Sequence, residues 1–159
     1  MTASQGYRVR PIAEGDRRRW QELYEDYLGF YETALTGEQV DTVWAWLMDA
    51  DHEVNGLVVA GAEGLVGLAH YREFARPSSA SVGGYLDDLF VDPAARGAGA
   101  VDELLAALKR IGAERGWTVI RWITADNNYR ARSKYDREAR RTPWITYDMS
   151  PHAVPASEG

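Results

Sequence analysis

The chain has 159 residues, 45% of them hydrophobic, which suits one compact domain burying roughly two thirds of its unfolded surface and leaves no room for a second. Its net charge of -6 argues against a general nucleic-acid binder and suits a cationic partner, and no apolar run reaches the roughly 18 residues that would span a membrane. The complete lack of cysteine excludes disulfides, thiolate metal sites and cysteine nucleophiles.

In chain order, residues 7–12 alternate like a short strand. Glu14, Gly15 and Asp16 then offer a helix start before Trp20, Leu23, Tyr24 and Tyr27 at helical spacing. Val40, Val43, Trp44 and Leu47 mark a second amphipathic helix. Residues 55–61 and 65–71 are apolar runs joined by a tight turn, which predicts a hairpin, and residues 85–91 give a further strand. Val101, Leu104, Leu105, Leu108 and Ile111 predict a helix ended by Gly116. Residues 117–124, rich in β-branched and aromatic side chains, read as a central strand. Asp126, Asn127 and Asn128 can cap a helix over 129–137, and residues 144–149 read as a last strand. The expected fold is α/β (α+β): a single domain over residues 1–149 with a mixed, mostly antiparallel sheet and helices on both faces, and a disordered tail over 150–159.

The most informative segment joins the strand ending at Val91 to the helix beginning near Ala100. Gly97 and Gly99 can take positive φ and carry no side chain to block a ligand. The helix start beyond them supplies unpaired N–H donors and a partial positive charge, so a diphosphate could be held there by backbone alone. A plain helix-entry loop with closely packed glycines is the other reading of those two residues.

Arg96-Gly97-Ala98-Gly99, preceded by Leu89-Phe90-Val91-Asp92-Pro93, resembles the coenzyme A pyrophosphate loop of the GCN5-related N-acetyltransferases. There the pattern is Arg or Gln, two residues, Gly, one residue, then Gly or Ala; here the sixth place is Val101. A second match lies about thirty residues on, where Asn128, Ala131 and Tyr135 resemble the family's Asn-x-x-Ala-x-x-x-Tyr helix. Two helical turns put Asn128 and Tyr135 on one face. The resemblance covers residues 7–149. Within the family, residues 85–91 look like the polyamine and thialysine acetyltransferases, and Phe30, Tyr31 and residues 141–147 look like the yeast histone and polyamine branch.

The resemblance implies acetyl-CoA as co-substrate and transfer of its acetyl group to a primary amine on a small molecule or a protein lysine. It places coenzyme contacts at Leu89, Phe90, Val91, Arg96, Gly97, Ala98, Gly99, Ala100, Val101 and Asn128, with Arg132 in a basic run facing the 3′-phosphate. Tyr135 would be the general acid. An alkylammonium has a pKa near ~10.4, so a base must take its proton first. Asp87 and Asp88 are neighbours on one strand, and strict alternation sends them to opposite faces. The resemblance favours Asp87 as base or ammonium anchor, with His70 as rival. Phe30 and Tyr31, beside Glu25, Asp26 and Glu32, lie where the family builds its acceptor cleft, and carboxylates with aromatic faces suit a cation. Backbone N–H groups around Phe90 and Val91 would stabilise the developing oxyanion.

His52, His70 and His152 show no ligand spacing, so no metal is expected. Residues 1–6 lack the plan of a secretory signal, and a soluble cytoplasmic protein, a homodimer by family habit, is expected. Asp102 and Glu103 would sit near the coenzyme's diphosphate, where like charges repel, which keeps open a non-catalytic acyl-CoA-binding or protein-interaction module of the same fold. A dinucleotide-binding reading fails, because the third glycine of that fingerprint is Asp102.

Overall fold

The computed structural model describes residues 6–97 and 99–152. The chain divides into a larger unit, Met1–Ile123, and a smaller one, Thr124–Gly159.

The larger unit opens with β1 (Arg8–Pro11). Arg10 grips the Asp16 carboxylate with both guanidinium ends, at 2.7 and 2.8 Å, and the Ala13 amide donates to the same carboxylate at 2.8 Å. The Arg10 hydrogen bonds hold the Asp16 carboxyl below its usual range. This cluster fixes the turn from which α1 (Arg17–Phe30) starts. The next helix, α2 (Gly37–Met48), begins with a capping box in which Thr36 and Gln39 satisfy each other's amides.

Strands β2 (Asn55–Gly61) and β3 (Gly64–Arg76) form the expected hairpin, with Gly64 at a φ of +119° that only glycine takes readily. Strand β4 (Ser81–Val91) pairs antiparallel to β3. After α3 (Ala100–Arg115), stopped by Gly116 at φ +70°, a short β5 (Ile120–Arg121) pairs parallel to β4. The sheet order is β1-β2-β3-β4-β5, mixed and mostly antiparallel as expected.

Alternation along the strands builds two cores. Leu57, Val59, Ala69, Tyr71 and Leu86 face Leu104, Leu105 and Leu108 of α3. Val58, Leu68 and Phe90 face Trp20 and Leu23 of α1 and Val40 and Leu47 of α2. Helices therefore cover both faces of the sheet, and each fully buried leucine contributes on the order of 1.5–3 kcal/mol.

Two expectations need correction. Residues 117–124 do not form a central strand: β5 ends the sheet order, and only Ile120 and Arg121 pair, opposite Gly84 and Tyr85. A bulge two residues further along β4 bends that strand and ends the pairing. Residues 144–149 form no strand, because β-propensity is realised only against a partner edge; Trp144, Ile145, Tyr147 and Met149 are exposed. The smaller unit contains α4 (Tyr129–Glu138), capped by Asn128. Residues 150–152 form no helix or strand, and the rest of the expected tail, 153–159, lies outside the described residues.

Trp117 locks the β4–β5 seam. A Cβ added to Gly84 would lie 2.3 Å from its ring, and one added to Gly112 would lie 2.9 Å away. Gly84→Ala is expected to lower stability by about 1–3 kcal/mol through overpacking, whereas Gly15→Ala, with nothing within 4 Å, changes it by less than about 0.5 kcal/mol. Urea unfolding of the two variants checks this.

Candidate active site

Two carboxylates on β4 define the site. The register pairs His70 with Asp88 and Tyr71 with Leu86, so Asp87 is the extra residue of a β-bulge. The alternation that would send Asp87 and Asp88 to opposite faces is broken there, and both carboxylates raise the pKa of Tyr24. Their environments push them apart. Burial raises the Asp87 carboxyl and the neighbouring Asp88 charge adds to this, while Arg72, donating from Nε at 3.1 and 3.2 Å, pulls the other way; the net direction is upward. Burial also pushes Asp88 up, but hydrogen bonding by His70, Tyr27 and Tyr24 outweighs it and holds that carboxyl low.

Asp88 ends a buried polar chain. The Trp20 indole N–H, which can only donate, reaches His70 Nε2 at 2.9 Å. That nitrogen must therefore present its lone pair, and the ring proton sits on Nδ1, which donates to Asp88 at 2.8 Å. The Tyr24 hydroxyl donates to the same oxygen at 3.2 Å. His70, 2% exposed, has both nitrogens committed. In this arrangement it holds Asp88 in place and offers no free lone pair to a substrate proton, which removes the geometric basis for a rival base. Burial first, then the Asp88 charge, raises the Tyr24 and Tyr27 phenols, so both stay protonated.

The same residues continue as an aromatic run along α1. Trp20 stacks on Tyr24 with ring centroids 5.4 Å apart, Tyr24 on Tyr27 at 5.8 Å, and Tyr27 meets Tyr31 edge-on at 5.0 Å. The run passes from a fully buried tryptophan to the half-exposed Phe30 and Tyr31 at the end of the helix. Phe30 lines an open cavity of about 490 Å³ with Asp26, Phe90, Asp92, Pro93 and Arg96. Helix α1 thus brings Phe30 to the strand end that leads into the glycine loop.

That loop is anchored at its base. The Asp92 amide donates to Val66 O at 2.7 Å, and its carboxylate accepts from Ala94 N at 3.0 Å and from Arg19 at 2.9 Å. Arg96 donates to Val91 O at 3.2 Å, with its guanidinium 5.8 Å from the Phe90 ring centroid. Gly97 and Gly99 have φ of +84° and +93°, with open space where a Cβ would stand; Ala98 lies outside the described residues. Ala100 and Val101 form the first turn of α3. Because the Asp92 amide turns toward β3, period-2 alternation sends the Phe90 amide the same way and the Leu89 and Val91 amides toward the edge that β5 leaves uncovered. The expected donors at Phe90 and Val91 are accordingly replaced by Leu89 and Val91.

In the smaller unit, Asn128 Oδ1 accepts from the Ala131 amide at 3.4 Å and caps α4, on which Tyr135 follows two turns later. Arg132 donates to Asp126 O and lies over the Tyr129 ring. The structure thus gathers Asp87, Leu89, Phe90, Val91, Arg96, Gly97 and Gly99 along one strand and its loop, with Phe30 at the cavity beside them. Trp20, Tyr24 and Asp88 went unnoticed in the sequence as a polar chain, because an aromatic stripe at helical spacing reads as core.

A profile of the Acetyltransferase (GNAT) family matches residues 20–139. D-amino-acid N-acetyltransferase HPA3 of Saccharomyces cerevisiae is 27% identical over 141 residues, covering 87% of this chain and 88% of that protein. Among solved structures, the aminoglycoside N-acetyltransferase AAC(6')-Iy in complex with CoA superposes with a TM-score of 0.80 at 15% identity, covering 96% of this chain and 99% of that one. The ribosomal-protein-alanine N-acetyltransferase of Brucella melitensis biovar Abortus 2308 gives 0.73 at 19%, covering 91% and 99%. The chain belongs to the acetyltransferase (GNAT) family and is an acetyltransferase of that fold.

Asp88 makes a checkable contribution to stability. Its native pKa lies below the unfolded value near ~3.9, so the stabilisation is complete above that pH and lost as pH falls through the native pKa. The stability gap between the native chain and Asp88→Asn should be constant from pH 6 to about 5 and shrink below about 4. Denaturant unfolding across that range measures it.

Proposed function

We propose that the protein transfers the acetyl group of acetyl-CoA directly to a primary amine, without a covalent enzyme intermediate. The observation that carries this reading is the strand that ends in the positive-φ pair Gly97 and Gly99 at the start of α3 while bearing, at its bulge, a carboxylate whose pKa burial has raised. A side chain at either glycine would cost backbone strain, yet among the described residues no non-neighbouring atom lies within 4 Å of where its Cβ would stand, which suits close approach of a diphosphate to backbone amides.

When bound, acetyl-CoA supplies an activated thioester carbonyl. Asp87 takes a proton from the acceptor ammonium, directly or through a water, and its raised pKa brings it closer to that task than an exposed carboxylate. The Leu89 and Val91 amides offer hydrogen bonds to the carbonyl oxygen as negative charge develops there. Asp88, kept ionised by its donors, provides a fixed negative charge beside Asp87 that favours a cationic acceptor. Asn128, Arg132 and Tyr135 take their roles from the family motif: Asn128 toward the pantetheine arm, Arg132 toward the 3′-phosphate, and Tyr135 returning a proton to the departing thiolate. The amine-bearing substrates in the names of the yeast and aminoglycoside enzymes agree with this acceptor class. The reading includes a homodimer, which light scattering at micromolar concentration would show as twice the 17.8 kDa chain.

Isothermal titration with acetyl-CoA should show binding that Gly97→Val weakens at least about tenfold, a cost of roughly 1.4 kcal/mol. Absence of binding by the native chain would favour the non-catalytic module instead. With an amine present, thiol release should follow. The kcat/KM of that reaction should rise with pH through an acidic limb above ~3.9 that Asp87→Asn removes, with a rate loss of about 10²-fold or more. Tyr135→Phe should lower kcat and leave acetyl-CoA affinity within about threefold, if its part is confined to proton return.

A further inference from the structure

Arg72 lies in the middle of a charged and aromatic patch of which the reaction as described uses only the Nε contact to Asp87. In register, Arg72 on β3 and Arg121 on β5 flank Tyr85 on β4 from opposite sides. The Arg72 guanidinium sits 4.9 Å from the Tyr85 ring centroid, that of Arg121 sits 5.4 Å from the Phe74 ring centroid, and the two rings meet edge-on at 6.2 Å. Arg72 grips Asp87 through Nε alone among the described residues, reaching both carboxylate oxygens with that one nitrogen. Its terminal nitrogens, which form the fork that guanidinium uses for planar anions, take no part in this grip. Both side chains are about one third exposed, at 36% and 30%.

A polyamine fits such a patch poorly. Its second and third ammonium groups would meet two guanidiniums beside the carboxylate that binds the first. An acceptor with a negative charge next to its amine fits well, because its ammonium and carboxylate would face Asp87 and Arg72 in alternating sign, each oxygen of Asp87 still having a lone pair to offer. We propose that Arg72 is the specificity-determining residue of the acceptor site, its free guanidinium edge pairing with the carboxylate of an α-amino acid whose amine lies at Asp87. The proposal rests on the transferase reading above and narrows its acceptor class to zwitterionic amino acids. The Tyr85 and Phe74 rings lie against the two guanidiniums, and their apolar faces suit the amino acid's side chain.

The test uses the full chain, acetyl-CoA and a panel of D- and L-amino acids, each paired with its carboxamide and its decarboxylated amine, with thiol release as the readout. The native protein should prefer at least one amino acid over its carboxamide by about tenfold or more in kcat/KM, the scale of one charge-assisted hydrogen-bond pair. Arg72→Gln, which also removes the contact to the Asp87 base, should lower kcat/KM for the amino acid at least about tenfold more than for its carboxamide, chiefly through KM, and Arg72→Lys should restore part of that difference. Thermal unfolding confirms that each variant is folded. Equal use of amino acid and carboxamide by the native protein overturns the proposal and leaves the transferase reading intact, as does an equal loss of both activities in Arg72→Gln. Acetyl-CoA binding without turnover of any acceptor on the panel overturns the amino-acid class, and failure to bind acetyl-CoA overturns the transferase reading with it.

Discussion

The site depends on one carboxylate that cannot easily move. Asp88 accepts hydrogen bonds from the His70 ring and the Tyr24 hydroxyl, and His70 is in turn fixed by the Trp20 indole. These four side chains come from α1, β3 and β4, so a chain of polar contacts crosses the interface between the helix and the sheet inside an otherwise apolar core. Buried polar groups of this kind are costly when unsatisfied, and each member here has its partner. With Asp88 tied down, Asp87 beside it at the bulge is held by the Arg72 guanidinium of β3.

The bulge also shapes the ground on which the coenzyme reading stands. Register pairing of β4 with β5 stops at Tyr85, two residues before the bulge, and beyond it the Leu89 and Val91 amides face the uncovered edge. At the far end of the strand, Asp92 binds the start of the glycine loop to α1 through Arg19. The Arg19 guanidinium also donates to Leu65 O, so helix, hairpin and loop meet at one side chain. The open stretch of β4 is therefore held at both ends by charge-assisted contacts.

Much of this fold was legible in the sequence, because its signals are local. The 3.6-residue spacing of Leu104, Leu105 and Leu108, the Gly64 turn and the Gly116 stop each needed no partner to be recognised, and Gly97 with Gly99 marked the loop by the same logic. Residues 117–124 and 144–149 misled for the converse reason: a strand needs an edge to pair with, and composition does not say whether one is available. The bulge at Asp87 was invisible because register belongs to two strands at once. So was the tautomer of His70, which depends on an indole fifty positions away in the chain.

The three-part link from Trp20 through His70 to Asp88 also bears on how such a chain can diverge. Each member has one role that only its neighbour defines: an obligate donor, a ring with one donor and one acceptor, and an anion. Replacing any one of them alone leaves a buried polar atom facing nothing, so lineages should pass through that step rarely and change the three positions together. The arginine beside the bulged carboxylate, about one third exposed and bonded to it through Nε alone among the described residues, carries no such restriction. New acceptor preferences can therefore arise at Arg72 while the buried chain behind it is inherited as a single character.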